Sequence, residues 1–302
     1  MVSKYLDQIF DIADISQNFI LINCTLGYNG DVNILCADGT YGEFNTRYQF
    51  PFKVALSNQQ NYRIIILGKN FKIVELNREK VNYQHGFQVD IDKYCYICRK
   101  INGRFKNNLI ITDGFGKKIN KISIGNMVND VQTNSNQELW VSYLEEGVYF
   151  ASFDSIEKNG LNCFDLFGNI SYTYEFKPKI AVYYSFNVIS ENEILINTYS
   201  YVGERLALGK IFDKRVDKVI EWKHYTDFLA YYNNMILVEN KSIGEKNQKF
   251  ALLDINNNLK IIKTFEFFGK KKERLNCICG QGDKLLFFGK SKIYSISIKE
   301  LL

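Results

Sequence analysis

Short strand-like runs broken by polar turns recur along this chain, most clearly between residues 128 and 149. Val128-Asn129-Asp130-Val131-Gln132-Thr133 and Leu139-Trp140-Val141-Ser142-Tyr143-Leu144 each have the length and the β-branched and aromatic composition of a β-strand. Glu145-Glu146-Gly147 then marks a turn before Val148-Tyr149. The spacing predicts strands near 128–133, 138–144 and 147–153, followed by 161–166 and 170–176.

Weaker copies of this grammar run from end to end. Tyr184-Ser185-Phe186-Asn187-Val188-Ile189 and Glu193-Ile194-Leu195-Ile196-Asn197-Thr198-Tyr199 open one copy, and another starts near Asp227. Comparable starts fall near Phe19, Lys53, Gln88 and Leu275, which gives seven in all. Seven starts in 302 residues average about 43 residues, within the ~40–50 of a four-stranded propeller blade. The longest interval is assigned to an extra loop around Ser155–Asn162.

Two runs bear on how these sheets are covered. Ile64-Ile65-Ile66-Leu67 and Leu285-Leu286-Phe287-Phe288 are apolar at successive positions, so both faces of those strands must be buried. Sheets packed face to face achieve this without helices. The last unit, from Leu275 on, has only three strand-like runs, near 276–280, 284–288 and 292–298. Leu6, Ile9, Phe10 and Ala13 have helical spacing, but the same stretch reads equally as a strand that could complete that unit and remove an exposed sheet edge. The expectation is an all-β propeller, a single domain over 1–302 with seven four-stranded blades, or six if the first two units merge. Its N- and C-terminal strands are expected to join.

Composition agrees with strands. There are 23 Phe and 20 Tyr but only two Pro, so almost every backbone N–H is free to enter a sheet ladder. Hydrophobic residues make up 46% and charged residues 24%, enough apolar material for a continuous core. The net charge of +5 is spread through the chain, which gives no indication of a nucleic-acid surface; the one dense run, Lys270-Lys271-Lys272-Glu273-Arg274, reads as a solvated loop. Residues 1–14 lack the pattern of a signal peptide, and no run reaches the ~18 apolar residues of a membrane span. The seven Cys are irregularly spaced and read as buried thiols rather than a disulfide framework. A cytoplasmic monomer without a membrane association is expected.

Candidate chemistry is sparse. Cys95-Tyr96-Ile97-Cys98 has the CxxC spacing of a zinc site, but residues three apart in a strand point to opposite faces. Cys277 and Cys279 share a face without a nearby His or further Cys. His85 and His224, the only histidines, lie in no nucleophile or zinc motif, and Gly114-Phe115-Gly116 lacks the remainder of a phosphate loop. No catalytic residue, metal or cofactor is assigned. Binding is the better reading: Glu145 and Glu146 sit on a turn, and Tyr183-Tyr184 and Tyr231-Tyr232 lie near the start of new units. Paired Tyr at a rim supply rigid amphipathic contact area.

Through Asp130-Val131-Gln132-Thr133 and Trp140-Val141-Ser142-Tyr143-Leu144-Glu145-Glu146-Gly147-Val148-Tyr149, one blade's worth of sequence resembles a group of uncharacterised bacterial propeller-like proteins. Their pattern is close to D-V-Q-T…W-V-S-Y-F-D-E-G-V-F, with Leu144 and Glu145 here in place of Phe and Asp. The resemblance implies a propeller and no reaction. The expected function is a non-catalytic protein-binding propeller, one version being a bacterial immunity or antitoxin-type protein whose partner is a toxin. The alternative is a carbohydrate-binding or carbohydrate-active propeller with its ligand in a central channel.

Overall fold

The structure is a computed structural model that describes residues 1–11, 19–38, 61–69, 71–76, 82–90, 93–99, 108–144, 147–148, 155–174, 180–200, 205–222, 226–240 and 248–302. The chain divides into two compact units. One is continuous, Ile15–Thr173; the other is split, Met1–Asp14 with Tyr174–Leu302.

The split unit opens with β1 (Val2–Tyr5) and β2 (Gln8–Asp11). In the continuous unit, β3 (Phe19–Leu26), β4 (Val32–Asp38), β5 (Tyr62–Leu67) and β6 (Lys72–Leu76) form one antiparallel sheet in chain order. A second consists of β7 (Asn82–Asp90), β8 (Lys93–Arg99), β9 (Leu109–Thr112) and β10 (Lys118–Ile122). The third contains β11 (Val128–Thr133), β12 (Leu139–Tyr143), β13 (Leu161–Phe164) and β14 (Ile170–Thr173).

Three further sheets make up the split unit. The first is β15 (Ile180–Val188), β16 (Glu193–Ser200), β17 (Arg205–Phe212) and β18 (Arg215–Trp222). The next joins β19 (Leu229–Tyr232), β20 (Met235–Glu239), β21 (Phe250–Asp254) and β22 (Lys260–Gly269), with β1 parallel to β22 and β23 (Glu273–Arg274) paired to it. In the last, β24 (Asn276–Gln281), β25 (Lys284–Gly289) and β26 (Lys292–Ser297) are completed by β2, antiparallel to β26. The N-terminal segment thus supplies the strand that the final unit lacked.

The described residues form five four-stranded sheets and one of six strands, not seven four-stranded units. Part of the difference lies at the start: the described strands within 19–76, read as portions of two units, form one sheet in which the apolar run at 64–67 belongs to the third strand. The expected start at Lys53 lies outside the described residues, and the one near Gln88 falls late in β7. After β12, residues 147–148 are helical, the third strand is β13, and a 3-10 turn at Ile156–Asn159 occupies the expected extra loop.

The two apolar runs are buried at successive positions, Ile64, Ile65 and Ile66 in β5 and Leu285, Leu286 and Phe287 in β25, and other strands are covered in the same way. Along β20 and β21, Leu237, Phe250 and Leu252 enter a core shared with Leu285, Phe287 and Tyr294. The alternate residues Ile236, Val238, Ala251 and Leu253 enter another with Leu195 and Leu208. In the continuous unit, Leu109, Ile111 and Ile122 pack against Val131, Val141, Tyr143 and Phe164. Each core therefore fills the space between consecutive sheets, which is how a one-face-per-neighbour pattern arises without helices.

Turn chemistry fixes the hairpins. Asp213-Lys214 and Asn233-Asn234 have positive φ at both positions, the two-residue geometry whose twist matches the flanking strands. Asp113 and Asp165 instead open five-residue turns of the same design. Asp113 Oδ1 accepts the N–H groups of Phe115 and Lys117, both at 2.9 Å, and Asp165 Oδ1 those of Phe167 and Asn169, also at 2.9 Å. Gly116 and Gly168 take the left-handed position in each. The Lys270–Lys272 run forms an exposed 3-10 turn, the solvated loop its charge implied.

Candidate functional site: the tyrosine hairpin of the split unit

Tyr231 and Tyr232 end β19, the first strand of its sheet, beside the Asn233-Asn234 turn. They therefore lie at the opposite end of the sheet from the point where the chain enters it, which is where their position near a unit start had suggested. Both rings are half-buried. Tyr231 donates its backbone N–H to the Gly282 carbonyl at 2.8 Å, and its hydroxyl lies 3.3 Å from Asn234 Oδ1.

Tyr232 lies under a cation. Lys299 Nζ is 4.7 Å from the ring centroid and 3.3 Å from Asp283 Oδ2. Asp283 also accepts from Ser297 Oγ, and Ser297 caps the 3-10 turn Ile298–Glu300, with Glu300 returning a bond to the Ser297 N–H at 3.0 Å. The first–second turns of two sheets and the C-terminal turn thus present an aromatic, amide and ion-pair surface whose parts are held before any partner arrives.

Its foundation is a buried amide. Asn187 Nδ2 donates to the Leu229 carbonyl at 2.8 Å and the Gly282 carbonyl at 3.0 Å, while Asn187 Oδ1 accepts the Gly282 N–H at 2.8 Å. Asn197 and Ser185 both donate to the Thr226 carbonyl, and Thr226 Oγ1 caps the Glu239 N–H at 3.2 Å. On the neighbouring sheet Lys210 Nζ bonds Glu193 Oε1 at 2.8 Å, and that bond chiefly raises the pKa of the ammonium.

Other sequence candidates are placed as follows. Glu145 and Glu146 lie outside the described residues. Around them, Gly147 donates to the Leu144 carbonyl at 2.9 Å, and Leu144 to the Met127 carbonyl at 2.8 Å. Gly147 is required by its close approach to Met127, where a Cβ would come within 2.8 Å of Met127 Cβ. Tyr183 and Tyr184 fall inside β15, at a bulge between Tyr183 and Ser185. Cys95, Cys98 and His85 lie in strands β8 and β7, and His224 is outside the described residues.

Five described cysteines are buried thiols outside any disulfide, Cys24, Cys36, Cys163, Cys277 and Cys279. A bulge separates Cys277 from Cys279, and burial pushes the Cys36 thiol up to about 12 and that of Cys277 well above its ordinary value, which makes them inert packing groups. Among the described residues no three His, Cys, Asp or Glu side chains are grouped to hold a metal. Trp140 and Tyr143 are both core residues: Trp140 packs on Tyr172 with centroids 5.4 Å apart, and Tyr143 donates its hydroxyl to the Ile124 carbonyl at 2.6 Å.

Sequence reasoning missed one repeated feature. Asp113-x-Phe115-Gly116 and Asp165-x-Phe167-Gly168 are the same motif at corresponding third–fourth strand turns, and each exposes its Phe. Phe71 and Phe212 fall at the same hairpin of two other sheets and are also exposed. The signal was in the sequence, as D-x-F-G after a strand, but Phe115 had been weighed only as part of an incomplete phosphate loop.

These consecutive antiparallel four-stranded sheets, packed face to face, place the chain in the class of all-β propellers. No family model and no curated protein matches it. Among solved structures, it is similar to hydrazine synthase from Kuenenia stuttgartiensis, with a TM-score of 0.53 at 8% identity over 93% of this chain and 77% of that one. At that identity the likeness concerns the fold alone. Sqt1 from Saccharomyces cerevisiae also aligns, with a TM-score of 0.45 at 8% identity over 99% of this chain and 85% of that one. BamB from Moraxella catarrhalis gives 0.45 at 8% identity over 91% and 84%. No helix among the described residues is long and apolar enough to cross a membrane.

Proposed function

We propose that this chain is a non-catalytic propeller that binds another protein, with an immunity or antitoxin-type role as its specific form and a toxin as the partner. The observation that carries the binding reading is the surface at Tyr232, where the ring, Lys299 and Asp283 are held together before binding. Half-buried Tyr side chains with ordered polar neighbours supply contact area at small entropic cost. The immunity reading rests on the resemblance of the segment 130–149 to bacterial propeller-like sequences and is the finer part of the proposal.

The test is affinity capture from the native host, comparing the wild-type chain with Tyr231→Ala/Tyr232→Ala and with a surface control at Lys263. The expected result is one stoichiometric protein retained by wild type and control and lost from the double variant, which stays folded by circular dichroism with a lowered melting temperature because both rings also pack on the cores beneath them. A partner retained equally by all three chains would place binding elsewhere. Absence of any stoichiometric partner would sink the reading.

A further inference from the structure

We propose that the outer belt of the continuous unit docks on an anionic lipid bilayer surface, with three phenylalanines inserting among the headgroups. This goes beyond the protein-binding reading and concerns the other unit of the chain.

Every sheet of this unit carries a Phe at the turn between its third and fourth strands: Phe71 is 60% exposed, Phe115 92% and Phe167 81%. Such exposure of large aromatic side chains at one topological position in three consecutive sheets is not the scatter of single apolar residues found on any surface. For Phe115 and Phe167 the turn itself imposes it. The Asp Oδ1 clamps two backbone N–H groups and the Gly takes positive φ, which leaves the intervening Phe at the apex.

The three tips belong to one belt. β6 leaves the turn of Phe71 and reaches Glu75, whose backbone carbonyl lies against Gly116 in the turn of Phe115. β10 leaves that turn and reaches Ile122, which lies against Gly168 in the turn of Phe167; Asn120 Nδ2 also donates to the Leu166 carbonyl at 3.1 Å. Each outer strand therefore runs from one tip to the next. At about 3.3 Å per residue, five-residue strands separate successive tips by roughly 15 Å. Ile73 and Ile119, on the strands between the tips, are exposed as well.

The charge along the belt selects the occupant. Lys69, Lys72, Lys117, Lys118 and Lys121 accompany the tips. Four carboxylates share the belt and keep their charge: Glu75, paired with Arg63 at 3.0 Å, Asp31 beside Gly68, and Asp113 and Asp165, which accept their own backbone amides; against the five lysines and Arg63 they leave the belt with a net positive charge. Isolated aromatic fingers with Lys between them match a surface that offers hydrocarbon just below a layer of negative charge.

The test uses the full chain and co-sedimentation with vesicles of phosphatidylcholine alone or mixed with phosphatidylserine. Wild type is expected to sediment with the mixed vesicles, weakly with the neutral ones, and less as salt rises. Phe115→Ser/Phe167→Ser should weaken partitioning about tenfold or more per Phe, and Lys117→Glu/Lys118→Glu should remove the preference for phosphatidylserine. Should the double Ser variant melt early, Phe115→Trp keeps the tip apolar, and its fluorescence should shift to the blue with mixed vesicles only. No sedimentation with mixed vesicles at low salt, or sedimentation unaffected by the Phe substitutions, overturns the proposal. Capture of an acidic protein through these Phe without vesicle binding overturns it too, and assigns the belt to a protein partner.

Discussion

Asn187 and Gly282 exchange two hydrogen bonds through one buried side-chain amide, Gly282 N–H to Oδ1 at 2.8 Å and Nδ2 to the Gly282 carbonyl at 3.0 Å. With its third bond, to Leu229, this amide ties together all three sheets of the split unit. Gly282 turns through φ 56° to meet it. The Leu229 carbonyl at the start of β19 and the Gly282 N–H just after β24 thus meet one side chain from β15.

Replacing Asn187 with Ala leaves the half-buried Gly282 N–H without its acceptor and takes a bond from the Leu229 carbonyl, while the Gly282 carbonyl keeps the Tyr231 N–H. The expected loss is about 2 kcal/mol of unfolding free energy, since a polar group left without a partner in the interior costs ~1–3 kcal/mol. Urea denaturation measures it. A change below about 1 kcal/mol would show that these bonds are readily replaced by water.

Gly116 presents a different constraint. It lies at φ 80° with the Glu75 carbonyl filling the place of a Cβ. Gly116→Ala should cost about 2 kcal/mol or more, from the left-handed backbone and the collision together. Gly282→Ala meets open space and carries only the backbone penalty, so its cost should be about 1 kcal/mol. The order of the two melting temperatures checks the close approach between these sheets; equal shifts would contradict it.

Asp130 gives the stability a pH dependence of known sign. Burial pushes its carboxyl up from 3.8 to about 6, against the lowering effect of bonds from Gln132 and Val131. The folded chain holds this proton more tightly than the unfolded one. The group therefore costs stability progressively as pH rises from about 4 to 6, and the cost is complete above that. Asp130→Asn should raise the melting temperature at pH 7.5, by no more than about 3 kcal/mol in free energy, and the gain should vanish near pH 4. A gain independent of pH would rule out this titration as the cause.

Tyr143→Phe removes the hydroxyl that bonds Ile124 at 2.6 Å and leaves that buried carbonyl and Asn162 short of a partner. About 1–2 kcal/mol of destabilisation is expected, without loss of fold, because the ring still fills the core with Val141 and Phe164. A melting temperature equal to wild type would mean the hydroxyl bond contributes nothing net.

Much of the architecture was legible because strand and turn signals are local. The strand signal in 128–133 became β11, the apolar run at 285–288 lies in β25 with Leu285, Leu286 and Phe287 all buried, and the short final unit did borrow an N-terminal strand. Boundaries inside the first units were not legible. Residues 19–76 contain strands of one sheet whose third member, Ile64–Leu67, looks like the start of a new unit when only periodicity is read. The candidate site was less legible still. Tyr231-Tyr232 has the same local signature at either end of a strand, and the pairing of β19 with β20 decides which end it occupies.

What the sequence by itself determined was the material: β-strands with two buried faces, turns closed by Asp, Asn and Gly, and buried thiols at the five described cysteines. These follow from side-chain volume, alternation and turn geometry, all set within a few residues. Tertiary structure alone decided which side chains meet. Asn187 reaches Gly282 across 95 residues, Lys299 covers Tyr232, and the turn of Phe115 rests on Glu75. Such meetings depend on how successive sheets register against one another, and no local pattern carries that register.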